Sequence, residues 1–273
     1  MKLYPTLIAL VLAAGLSSCE NISEGDRLQG PVTVESKKNV LVEDFTGQNC
    51  PNCPVAAEAV QTLQETYGSD RVISVAIHGG SLSTSEDRSK IGLANTQGEQ
   101  YNTDRRVQGW PSGLIDRTGS LIDNPQQWTA PVVARFGVAP KADIHVDRMD
   151  YNATTHQMSL DVTVSSEEGS DGKLQVWLTE SGLVRTQKMP DNSYNTSYVH
   201  NHVFRASVNA PYGDPVPLSA GQSEQKSYTY ELKTEASGKG PGWIPENMSV
   251  VVFYYNDADG VMQVIEHKLI GEE

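Results

Sequence analysis

Cysteine is scarce: Cys19, Cys50 and Cys53 are the whole supply in 273 residues. A zinc site built from four cysteines is excluded, and histidine does not make up the shortfall. None of the six histidines belongs to an H-x3–5-H pair, so no metal is expected. Positive charge is short as well. Lys and Arg number 21 against 34 Asp and Glu, a formal net charge of −13. That argues against nucleic acid or anionic lipid as a partner, since both select clustered basic residues. No apolar run has the length of a stable membrane span. No G-x-S-x-G turn marks a hydrolase nucleophile, and no organic cofactor is implied.

What is present begins with "MKLYPTLIALVLAAGLSSCE". One basic residue, Lys2, precedes an apolar run from Leu3 to Leu16, and small residues lead into Cys19. This pattern predicts a signal peptide over residues 1–18. The ending "LSSC" resembles the lipobox of bacterial lipoproteins, which implies acylation of Cys19 and attachment to a lipid bilayer without a span. Residues 19–37 are polar and aperiodic and read as a tether, able to reach roughly 60 Å at ~3.3 Å per residue.

Beyond the tether the chain has two textures. Over residues 38–138 strands and helices alternate: "NVLVEDF" and "RVISVAIHG" read as buried strands around a helix in "PVAAEAVQTLQETYG". "SGLIDRTGSLID" reads as a hairpin, and "NPQQWTAPVVARFG" as a last helix broken at Pro131. This order predicts an α/β layer architecture. Over residues 139–273 seven short, mostly alternating runs predict an all-β, immunoglobulin-like sandwich. They are "IHVDRM", "MSLDVTV", "KLQVWLT", "YVHNHVFRASV", "KSYTYEL", "SVVVFYY" and "VMQVIEHKL". The "NDADG" before the last run is a hairpin turn and not a calcium loop, because Tyr255 stands where the first acidic ligand belongs.

The chemistry centres on "DFTGQNCPNCP", Asp44–Pro54. A C-x-x-C pair outside the cytoplasm is free to form a disulfide. At a helix N-terminus, unpaired N–H groups and the helix dipole stabilise a thiolate. Cys50 is then the outer, attacking sulfur and Cys53 the resolving one. The other reading is an inert bridge, although closing so short a loop stabilises little.

The segment resembles the thioredoxin superfamily. The acid and the phenylalanine stand six and five residues before the first cysteine, and "VQGWPSGLI" is similar to the superfamily's cis-proline segment. The resemblance implies that Asp44 is a buried proton-handling carboxylate. It also implies that Pro111 is a cis-proline opposite the cysteines and that Trp110 lies on the substrate-docking edge. Asn49 before the first cysteine, the Pro51-Asn52 dipeptide and the bulk of Trp110 depart from that pattern.

Across nearly the full length the chain resembles the outer-membrane-protein-28 family of Bacteroidota lipoproteins. The lipobox, "NVLVEDFTGQNCPNCP", "GWPSGLIDR" and "YVHNHVFRASVNAPYGD" carry the likeness. It implies outer-membrane attachment, facing either the periplasm or the cell surface, and a thioredoxin-like domain followed by a β-sandwich. Two functions remain open: thiol–disulfide exchange on envelope proteins, or a surface adhesin or receptor for host proteins with a structural Cys50–Cys53 bridge.

Other residues have a second reading. His200 and His202, two apart, would share a strand face. His78 ends a strand near the cysteines and either tunes Cys50 or caps a loop. Ser81 and Ser112 carry no hydrolase signature. The tyrosines Tyr194, Tyr198, Tyr212, Tyr228, Tyr230, Tyr254 and Tyr255 are either recognition or sheet residues.

Overall fold

The structure is a computed structural model and describes residues 38–86, 92–236 and 242–271. The expected signal peptide (1–18), Cys19 and the expected tether (19–37) lie outside the described residues.

Strand β1 (Val40–Thr46) is buried at every position. Helix α1 (Cys53–Tyr67) carries Pro54 in its first turn, where a missing N–H is harmless, and Gly68 follows it at φ 101°. Strand β2 (Val72–His78) returns parallel to β1, with Val40 opposite Val72 and Thr46 opposite His78. Side chains alternate along a strand, so the even-numbered residues of both share one face.

Early in the strands that face is Val40, Val42 and Val72, packed on Ala56, Val60 and Leu63 of α1. Burying each such valine or leucine is worth about 1.5–3 kcal/mol, so the middle and later turns of α1 anchor it. Late in the strands the same face is Asp44, Thr46, Ser74, Ala76 and His78, too small or too polar to fill the space under the first turns. This switch along one face creates the candidate site.

The opposite face, with Leu41, Phe45, Ile73, Val75 and Ile77, enters a second core that includes Tyr101 of α2 (Thr96–Asp104). Strand β3 (Ser112–Ile115) runs antiparallel to β1, and Gly113 bridges to Ile122, a minimal form of the expected hairpin. The break in the last helix falls at Trp128. Helix α3 (Thr129–Phe136) begins after it and holds Pro131 within its first turn, where proline is tolerated.

The all-β part has more strands than the sequence showed. β4 (Asp143–Asn152), β5 (Gln157–Ser166) and β6 (Ser170–Glu180) come first. A hairpin of β7 (Leu183–Lys188) and β8 (Tyr194–His200) forms its own two-stranded sheet. Then follow β9 (Val203–Ser207), β10 (Asp214–Leu218), β11 (Gln222–Glu231), β12 (Met248–Asn256) and β13 (Gly260–Lys268). The run read as one strand through "YVHNHVFRASV" is two: His202 sits at φ 55°, the chain turns there, and β8 and β9 join different sheets. β10, with Pro215 and Pro217, pairs only with β6, as a strand poor in N–H donors must.

The three-stranded sheet β11-β5-β4 packs on one face of a large sheet in the order β13-β12-β6-β9-β2-β1-β3. The large sheet contains strands from both sides of residue 138, joined where Ala76 of β2 pairs with Val203 of β9. Its ends curl together. Val261 N donates to Asp116 O at 2.7 Å, and Asn39 Nδ2 to Val264 O at 3.0 Å.

Inside the curl lie Trp177, Phe204, Phe253 and Tyr255. Arg117 reaches in from the turn after β3, pairs with Glu43 at 3.0 Å and stacks 4.3 Å from the Tyr255 ring. Asp116 is fully buried between Lys38 at 2.8 Å and Arg135 at 2.7 Å. The change expected at residue 138 is therefore one of element type, while the core is shared; residues 36–273 form one unit. The protein is mostly β with several sheets, and among the described residues its α-helices fall in the first part.

Candidate functional site

The turn Gly47–Asn52 carries the chain from β1 into α1. Cys50 N donates to Gly47 O at 3.1 Å, and Asn49 N to Leu82 O at 2.8 Å, so the loop after β2 backs the turn on one side. Gly47 is required there, because a Cβ would lie 2.6 Å from the Leu82 carbonyl oxygen. Strand β7 covers the other side. The carboxamide of Gln187 donates to Cys50 O at 2.9 Å and Gly47 O at 3.3 Å. Lys188 N donates to Gln48 O at 2.8 Å, and Gln48 Nε2 to Thr186 O at 3.2 Å.

Cys50 and Cys53 form a disulfide with Cα atoms 5.4 Å apart. Helix α1 starts at Cys53 itself, so Cys50 precedes the helix and Cys53 sits in its first turn, which holds no acidic residue. Both cysteines are buried, unlike the sequence reading of Cys50 as an outer sulfur. Cys50 has no exposed surface, whereas Cys53 is 3% exposed and lines a cavity of about 460 Å³.

Beneath α1 the cavity is walled by Asp44, Thr46, Ser74 and His78; across from them stand Tyr198 and His200 of β8. Asp44 is buried and its Oδ1 has no hydrogen-bond partner among the described residues. Loss of water pushes its carboxyl from 3.8 up to about 7. Burial, reinforced by His200, holds His78 well below the usual imidazole range, and burial brings His200 to about 4. Both rings are thus neutral near pH 7, with centroids 5.5 Å apart. Chemically the cavity wall brings together a disulfide cysteine, a carboxyl able to take or give a proton near neutrality, and uncharged histidines.

Of the sequence candidates, Asp44 and Cys53 meet in this cavity, together with His78, His200 and His202. His202 lines it from the turn after β8, not from a face shared with His200. Pro111 is buried and follows a cis bond from Trp110. It immediately precedes Ser112, which pairs with Phe45, so it stands at the end of the sheet where β1 leads into the cysteine turn. Trp110 is turned away from the cavity: its ring lies on Gly80 and its Nε1 donates to Asn102 Oδ1 at 2.9 Å. Ser112 Oγ is taken up by Gly109 O and Asp123.

Of the tyrosines, Tyr254 and Tyr255 are core residues and Tyr194 is exposed. Gln187 had no signal as a site residue, because it comes from a polar hairpin more than a hundred positions beyond the cysteines, and Tyr198 was read only as one of several recognition or sheet tyrosines. Cys19 lies outside the described residues.

No curated protein matches the chain. Among solved structures, HBP35 of Porphyromonas gingivalis superposes with a TM-score of 0.66 at 16% identity, covering 85% of this chain and 75% of that one. At that identity the likeness is one of fold. A β-glucosidase from Kluyveromyces marxianus, at TM-score 0.27 and 15% identity, covers 48% of this chain and 14% of its own length. The sporulation control protein Spo0M of Bacillus subtilis, at 0.29 and 13%, covers 47% of each chain. Neither carries an argument. The family model for outer membrane protein Omp28 matches residues 98–273, a stretch that includes Trp110 and Pro111 and begins after the cysteine pair. That is well over half of the 273 residues, and the protein belongs to the outer membrane protein Omp28 family.

Proposed function

We propose that the protein is an outer-membrane lipoprotein, anchored through acylated Cys19, whose Cys50–Cys53 pair exchanges thiols and disulfides with envelope proteins. In this reading residues 38–138 are a thioredoxin-like part and residues 139–273 an immunoglobulin-like sandwich that positions it. The observation that carries the proposal is Asp44: a buried carboxyl whose Oδ1 has no partner among the described residues, lining the same cavity as Cys53, with its proton poised at about 7. An inert bridge has no use for such a group, and a buried carboxylate without a partner costs stability. Disulfide exchange does use it, because each step makes a thiolate that must gain or lose a proton. Pro111 and the Trp110 backbone would form the docking edge beside the turn.

The test is reduction of a disulfide-bonded protein, such as insulin, by the full chain. Turnover lost in Cys50→Ser and slowed about a hundredfold at pH 7 in Asp44→Asn, as for loss of a general acid–base group, supports the proposal. Wild-type protein without turnover overturns it.

A second reading, a surface adhesin or receptor with a structural disulfide, is favoured by one feature. Cys50 has no exposed surface, and β7 is tied across its turn. Absence of turnover together with host-protein binding by the chain would select it.

A further inference from the structure

Resting on the exchange reading, we infer that the oxidised pair is reduced at Cys53, through the cavity, by a small aminothiol: a low-molecular-weight thiol that carries an ammonium group. The inference concerns how the pair is recharged; the step at a protein client is separate.

Access comes first. A reductant must reach one sulfur of the bridge, and Cys50 is closed off beneath its own turn and β7. Cys53 opens on a space of about 460 Å³, within the range of small-molecule pockets and too small for a folded partner.

Charge decides which small thiol fits. Two carboxyls line the cavity, Asp44 deep inside and exposed Glu58 on α1 at its rim, and among the described residues no lysine or arginine does. Both carboxyls act across the space, since their charges add to burial in pushing the Tyr198 phenol above its ordinary value. Arg185 and Arg205, whose charges reach His200 and His78, stand outside the lining.

Hydrogen bonding agrees. An ammonium group carries three donors and no acceptor. The lining carboxyls can accept what an ammonium offers, whereas an anionic thiol meets Asp44 and Glu58 with like charge.

The chemistry closes on these groups. The aminothiol gives up its proton, and its sulfur attacks Cys53 Sγ. The Cys50–Cys53 bond breaks, and the Cys50 sulfur leaves with the electron pair and is protonated. A second aminothiol attacks the mixed disulfide at the small molecule's own sulfur and displaces Cys53 as its thiol. Two thiols have been oxidised to one small disulfide and one protein disulfide reduced to two thiols.

The experiment uses the oxidised full chain with cysteamine and with 3-mercaptopropionate. Rates are normalised to each thiol's rate with an unhindered small disulfide. Acid-quenched adducts are located by peptide mass spectrometry, and insulin reduction is measured in parallel on chain reduced with a phosphine. Expected are a preference of about tenfold for cysteamine, as opposite charges at short range give, and an adduct on Cys53. Glu58→Lys, at an exposed position, should abolish or reverse the preference. Equal normalised rates, or an adduct on Cys50, overturn the inference while insulin turnover leaves the exchange reading standing. Failure of both insulin turnover and thiol reactivity overturns the two together.

Discussion

Replacing Asp44 by asparagine is expected to stabilise the protein at pH 8 and to change it little at pH 4. In the folded chain burial moves the carboxyl from 3.8 to about 7, while unfolding returns it to its ordinary value. Well below pH 4 the group is protonated in both states and folding carries no penalty. Between pH 4 and 7 the unfolded chain ionises first, so stability falls as pH rises. By pH 8 both states are ionised and the folded state holds a carboxylate away from water. At 1.36 kcal/mol for each pH unit between the two values, that burden is about 4 kcal/mol. Asparagine has nearly the same shape and no charge, so it escapes the burden.

The assay is urea unfolding of oxidised wild type and variant at pH 4 and pH 8. Carboxyls elsewhere titrate alike in both and cancel in the difference. The variant's advantage should grow by about 2–4 kcal/mol between the two pH values. Growth of less than about 1 kcal/mol would refute a carboxyl whose charged form is disfavoured by burial, and with it a proton held ready near neutrality.

Gln187→Ala leaves the carbonyls of Cys50 and Gly47 without their side-chain donor. A loss of about 1–3 kcal/mol is expected, along with faster reduction of the disulfide by dithiothreitol, read by alkylation after timed quenching. Arg117→Leu strips Glu43 of its buried partner and should cost about 3–5 kcal/mol in urea unfolding. The double change Arg117→Leu, Glu43→Leu should cost clearly less, because no charge is then left alone inside.

The elements of the first part were legible because local pattern and tertiary demand agree there. β1 and β2 begin apolar on both faces, as strands covered on both sides do. Helix α1 is bounded by Pro54 and Gly68. The cysteines, Asp44 and the cis peptide before Pro111 lie in short motifs whose geometry is local.

What escaped the sequence is long-range. Nothing in the pattern of β2 or β9 says that Ala76 pairs with Val203, so one curled sheet read as two domains. β7, "LVRTQK", is too polar to register as a strand, yet it covers the cysteine turn through Gln187. The break at His202 was hidden by an unbroken strand-like sequence, since a non-glycine residue at φ 55° leaves no composition signal. Which cysteine faces the cavity followed from β7, and so could not be read from the C-x-x-C motif alone.

The most direct measurement is the reduction potential of Cys50–Cys53 in the full chain, by thiol trapping across a redox buffer series. A working exchange pair is expected above roughly −250 mV. A value below about −300 mV, the range of structural disulfides, would contradict thiol–disulfide exchange as the function of this site.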